Sequence, residues 1–148
     1  MCNEINDLTR AEKKRLRFID KELRRWRKLL MLDPIWNIKT ISIDDEEMAG
    51  RAAFVDLGSA EYYQATVGVT RFLLSEVDDE TFVTIACDIG AHEMFHIVTA
   101  DYHRAAIVAA GENEALRSHI DYMYEQFTSR MTVALCKMDK RIRKFDKE

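Results

Sequence analysis

Residues 92–96 of this 148-residue chain read His92, Glu93, Met94, Phe95, His96. Residues four apart on an α-helix stand one above the other, so two imidazoles at this spacing reach one metal ion. Glu93 sits one residue's rotation from His92, within reach of a water on that ion. The H-E-x-x-H spacing is the pattern of zinc-dependent hydrolysis. Zn2+ polarises a carbonyl oxygen and lowers the pKa of a bound water, and Glu93 as general base takes the water's proton and returns it to the leaving amine. A carboxylate suits that work because it is charged at neutral pH and need not be a ligand itself.

Such a site needs three protein donors and one open position, so a third ligand must come from elsewhere in the chain. The longer pattern H-E-x-x-H-x-x-G-x-x-H does not supply it. Thr99 stands at the glycine position, Tyr102 at the third histidine, and His103 falls one place late. The donors left open are Glu125, Asp121, Glu114, His119 and Asp101. His103, His119, Tyr102, Tyr122 and Tyr124 are candidate donors to an oxyanion, against the plainer role of aromatic core residues. Asp88 and Asp121 are candidate carboxylate partners for the second nitrogen of a ligand imidazole.

The element that must position the motif is a helix predicted over 79–100, with Asp78 or Asp79 as its N-cap. Phe82, Ile85, Ala86 and Ile89 form an apolar stripe that His92, Glu93 and His96 continue, while Met94, Phe95, Ile97 and Val98 cover the opposite side. This helix is expected to be buried nearly all round. Two imidazoles and a carboxylate placed there are costly without a partner, and a cation supplies one. A second helix is predicted over 113–137 or beyond, with a short helix around 105–109 between the two. On the second helix Leu116, Ile120, Met123, Tyr124, Phe127, Met131 and Ala134 form the apolar stripe expected to face the core. Glu125 lies off that stripe, with Glu114, Asp121 and Thr128.

Ahead of these helices, residues 8–32 read as one long helix, with Leu16, Ile19, Leu23, Trp26 and Leu30 on one face and a Lys/Arg ladder on the other. Thr9 and Glu12 have the form of a capping box, and Asp33 before Pro34 stops the helix. Alternation over 35–43 predicts a strand, with Trp36, Ile38, Thr40 and Ser42 on one side. The acidic cluster 44–47 and Gly50 read as a loop, and 53–57 and 62–73 as two further strands around a turn at Gly58 and Ser59. The predicted class is α+β, with an antiparallel or mixed sheet of about three strands.

Five glycines and one proline leave room for long helices, and no repeat or low-complexity tract appears. One domain over 1–148 is expected: a basic N-terminal helix over 1–33, the sheet over 35–74, the metal-binding helices over 79–137 and a basic tail over 138–148. Cys2, Cys87 and Cys136 are odd in number and lack C-x-x-C spacing, which argues against a disulfide framework and a thiolate metal knuckle and favours the cytoplasm. No 18-residue apolar run or signal-like segment occurs, so no membrane association is expected. The charge is uneven. Residues 1–28 carry ten basic and five acidic side chains, 29–136 six and eighteen, and 137–148 six and three. The basic first helix offers a surface to an acidic partner or nucleic acid, unless it pairs with the protein's own acidic body.

On His92, Glu93 and His96 the chain resembles the zincin superfamily of metallopeptidases, and within it the gluzincin arrangement, in which a glutamate on the next long helix completes the site. It is also similar to small zincin-type proteins of phage and bacterial genomes, over a stretch of about 36–135 that includes the Trp36-x-Ile38 strand. The resemblance implies a minimal zincin-like fold, a peptide or protein substrate, Glu125 as third zinc ligand, and an extended peptide bound along an edge strand beside the metal helix, for which 62–72 is the candidate. Other outcomes consistent with the sequence are a zincin-fold zinc protein without peptidase activity and a partner-binding module that uses the basic helix.

Overall fold

A computed structural model describes residues 7–32, 35–48, 51–59 and 63–145. Pro34, Gly50, Tyr62, Cys2 and the end of the basic tail lie outside them. The order of elements is α1 (Arg10–Leu29), β1 (Asn37–Ile43), α2 (Asp45–Met48), β2 (Ala53–Ser59), β3 (Gln64–Thr70), α3 (Arg71–Ser75), α4 (Asp79–Ala110) and α5 (Glu114–Phe145). This is the expected α+β class.

The first helix starts where its capping box says it should. Thr9 Oγ1 accepts from the Glu12 amide at 3.2 Å, and Glu12 Oε2 accepts from the Thr9 amide at 2.7 Å. The two side chains thereby satisfy amides that the first turn leaves without helical partners. Leu16, Ile19, Leu23 and Trp26 are buried, as their spacing requires. Glu12 is buried with them, because the Arg71 guanidinium meets its other oxygen at 3.0 Å.

The sheet is mixed, in the order β1-β3-β2, with β1 parallel and β2 antiparallel to β3. Four sequence expectations are corrected in this region. The acidic cluster contributes a short helix, α2, whose Asp45 carboxylate accepts from the Phe72 amide at 2.8 Å and bonds the Thr70 hydroxyl. Those bonds end β3 at Thr70 and start α3, so the third strand is shorter than the apolar run to Leu73 suggests. Gly58 and Ser59 belong to β2 and form no turn. Finally, the segment proposed as peptide-binding edge strand is β3, the central strand, while the edge strand beside α4 is β2. Alternation reveals which residues form strands but not their lateral order, which long-range pairing decides.

The fourth helix runs unbroken for 32 residues, about 48 Å, and absorbs the segment expected to hold a separate short helix. Asp78 caps it through the Thr81 amide at 2.9 Å, and no breaker occurs before Gly111, which takes a positive φ of 60°. Between Ile89 and Ile97 it is buried on almost every side. Gly90 lets α1 approach closely, since a Cβ there would lie 2.9 Å from Trp26 Cδ1. The fifth helix returns along α4. Its inward face carries Tyr124, Thr128 and Thr132, whereas Leu116, Met123 and Phe127 of the expected core stripe are exposed. Tyr124 of that stripe does turn inward, beside the polar Thr128 and Thr132, so hydrophobicity is a partial guide to this contact. No described helix is long and apolar enough to cross a membrane.

Candidate metal centre

Four residues per near-turn carry His96 directly above His92 on α4, and the two Nε2 atoms lie 3.0 Å apart. Glu125 reaches the same point from α5, with Oε1 3.5 Å from His96 Nε2 and Oε2 3.6 Å from His92 Nε2. Among the described residues these three form the one group of histidine, cysteine and acidic side chains able to hold a metal ion. Four ligands placed tetrahedrally at zinc bond lengths of about 2.0–2.1 Å stand about 3.3 Å from one another. The separations of 3.0, 3.5 and 3.6 Å scatter around that edge, so the donor set fits zinc in spacing as well as chemistry.

Bonds between α4 and α5 hold this register. Tyr124 donates its hydroxyl to the His96 carbonyl at 2.9 Å and shares a hydrogen bond of 2.9 Å with Thr99. On the far side of His92, Thr132 Oγ1 lies 3.5 Å from Nδ1 and donates to the Thr128 carbonyl at 2.9 Å. Glu125, Thr128 and Thr132 share one face of α5, and that face, with Tyr124 of the apolar stripe beside it, turns toward the histidines.

Glu93 is 4% exposed, and burial, reinforced by the Glu125 carboxylate and opposed by Arg51, pushes its pKa up to about 8. Burial followed by the neighbouring His92 and His103 pushes His96 down to about 4, and burial also lowers His92 against the pull of Glu125. Both imidazoles are therefore neutral at pH 7, the form that binds a metal. A neutral, proton-holding carboxyl beside two neutral imidazoles is the arrangement a divalent cation would convert to a carboxylate.

The group opens into a cleft of about 950 Å³, lined by Ala53, Phe54, Val55 and Leu57 of β2 and by Ile85 and Ile89 of α4. Its polar rim includes Arg51, Asp88, Tyr122, Tyr124, and His103 bonded to Asp121 at 2.8 Å. His103 stacks on Tyr124 with centroids 4.1 Å apart.

The other sequence candidates fall as follows. Asp121 is occupied by His103 and does not join the three-residue group. Glu114 opens α5, while His119 and Asp101 are exposed; none of them joins it. Asp88 lies beside the Cys136 thiol, which burial and that carboxylate push up to about 12, and so it is not placed as a partner for His92. Tyr102 is 80% exposed and does not line the cleft. Sequence reasoning missed Thr132, Arg51 and β2. Thr132 was findable, seven residues and two turns beyond Glu125; Arg51 follows no motif. Comparison with protein families, with curated proteins and with solved structures yields no match for this chain.

Proposed function

We propose that this chain is a zinc-dependent peptidase, with His92, His96 and Glu125 as metal ligands and Glu93 as general base. The observation that carries the reading is the convergence of Glu125, from a separate helix, on the two imidazole nitrogens at spacings that suit a tetrahedral cation. A structural site would close the fourth position with a protein donor. Here His92, His96 and Glu125 line an open cleft together with the buried Glu93 carboxyl, and among the described residues no fourth protein donor joins them.

Zinc held by these ligands supplies Lewis acidity toward a carbonyl oxygen and acidifies a bound water. Thr132 and the Tyr124 bond to the His96 carbonyl fix the imidazoles, so little reorganisation accompanies binding. Glu93, buried at the cleft wall beside His92, accepts the proton of the attacking water and delivers it to the leaving amine. Among the described residues β2 pairs only with β3, and its other edge supports a peptide as substrate: an extended chain laid along it gains backbone hydrogen bonds while apolar side chains meet Phe54, Val55 and Ile89.

The test is cleavage of a peptide library by the zinc-loaded protein, read by mass spectrometry, for wild type and Glu93→Gln. Wild type should cut, and the variant should lose about 10²–10⁴ in rate with its zinc retained. Equal cleavage by both would overturn the reading.

A further inference from the structure

Two stretches of opposite ends of the sequence, 1–28 and 137–148, hold the excess of basic residues in an otherwise acidic chain. The fold brings them together. Arg25 of α1 bonds Asp139 of α5 at 2.6 Å, which sets the C-terminal end of α1 against the C-terminal half of α5. Lys137 and Lys140 flank Asp139 and are exposed, and α5 continues to Phe145.

Along α1 the basic residues form one row. Arg10, Lys14, Arg17, Lys21, Arg24 and Lys28 recur every three or four residues on the face opposite Leu16, Ile19, Leu23 and Trp26, and all six are exposed. The row spans about 27 Å at 1.5 Å per residue. Part of the basic helix does turn onto the protein's own acidic body, with Arg15 meeting Asp79 at 2.7 Å; the row itself faces outward, Arg24 bonding Asp20 of the same helix, and none of its residues lines the metal cleft.

From this juxtaposition we infer that the outer face of α1, continued by the C-terminal part of α5, binds the phosphodiester backbone of nucleic acid. The chemistry discriminates among polyanions. A membrane-binding helix inserts an apolar face, but Leu16, Ile19, Leu23 and Trp26 of α1 are spent on the core, which leaves Leu29 at its end as the one large apolar side chain exposed. A protein partner is anchored by buried aromatic or aliphatic side chains, and this row carries none. Phosphate contacts need only positive charge along a line, and a straight row of about 27 Å spans most of a duplex turn. Among the described residues no base-reading element accompanies the row, so binding is independent of sequence.

The experiment is fluorescence anisotropy with the full chain and labelled 20-mers: mixed-sequence duplex DNA, duplex RNA and single-stranded DNA, each from ~50 to ~200 mM salt. Binding to at least one should weaken linearly on a log–log plot, with a slope steeper than about −4. Lys14→Glu/Arg17→Glu/Lys21→Glu should weaken binding at least tenfold, and Lys137→Glu/Lys140→Glu about threefold or more. Arg117→Glu, on the opposite half of α5, should change it less than twofold. Circular dichroism on every variant verifies folding, and a variant that fails is replaced by the matching Lys→Gln and Arg→Gln set. The three arms identify which nucleic acid is held. No binding at ~50 mM salt, equal weakening by Arg117→Glu, or capture by phosphatidylserine vesicles without nucleic-acid binding would overturn the inference.

Discussion

The Nε2 atoms of His92 and His96 lie 3.0 Å apart, each turned toward the carboxylate of Glu125. Desolvation keeps both rings neutral at pH 7, so neither can form a strong ion pair with that carboxylate. Charge balance at the site then rests on the cation it is proposed to hold. Because Glu93 is pushed up to about 8, zinc entry at pH 7 should displace its proton. Calorimetric titration of zinc into the metal-free protein, in buffers of differing ionisation enthalpy, should report about one more proton released by wild type than by Glu93→Gln. Equal release would contradict this.

The same shifts set a pH dependence for the metal-free protein. Glu93 has a folded pKa raised above its unfolded value of 4.5, so its contribution is fully present below 4.5 and is lost as pH rises through about 8. His96 is depressed from 6.5 to about 4, so its unfolded form binds the extra proton and stability is lost as pH falls through that window. Urea unfolding in the presence of a chelator should show Glu93→Gln gaining on wild type by on the order of 4 kcal/mol between pH 5 and 9. Parallel curves for the two proteins would show that Glu93 is not held in the buried, protonated form.

Thr132 lines the cleft, and its hydroxyl is 3.5 Å from His92 Nδ1. Thr132→Val keeps the shape and removes the hydroxyl. Zinc affinity, measured by competition with a chromophoric chelator, should fall about tenfold with the thermal midpoint of the metal-free protein changed by less than about 3 °C. Unchanged affinity would leave the hydroxyl without a role at the metal.

Gly90 lies where α1 packs closely on α4. A methyl group there would meet Trp26 Cδ1 at 2.9 Å and Glu22 Cβ at 3.3 Å. Alanine favours helix by about 1 kcal/mol over glycine, but both neighbours are buried, and overpacking costs about 1–3 kcal/mol. Gly90→Ala should therefore be destabilised by about 1 kcal/mol in chemical denaturation. A stabilised variant would mean that Trp26 yields easily.

Where local chemistry decides the structure, the sequence was readable. The capping box at Thr9, the Asp78 cap and the burial of Glu93 follow from side chains within a few residues of one another. Glu125 was harder, because the wheel of α5 points Leu116, Met123 and Phe127 inward, whereas the fold leaves them exposed. Hydrogen bonds from Tyr124 and Thr132 to α4 outweigh apolar patterning there, and a pairing across two helices leaves no periodic trace in either. The order of strands was hidden for the same reason: β2 and β3 have similar composition, and the partner that makes β3 central, β1, lies at a distance in sequence.

The most direct test of the central claim is the zinc content of the purified protein by inductively coupled plasma mass spectrometry, for wild type, His96→Ala, Glu125→Ala and Glu93→Gln. The account predicts about one zinc per chain in wild type and Glu93→Gln, less than about a tenth in His96→Ala, and a clear loss in Glu125→Ala. A wild-type protein that takes up no zinc when supplied with an equivalent, or a Glu125→Ala protein that binds it as tightly as wild type, would contradict it.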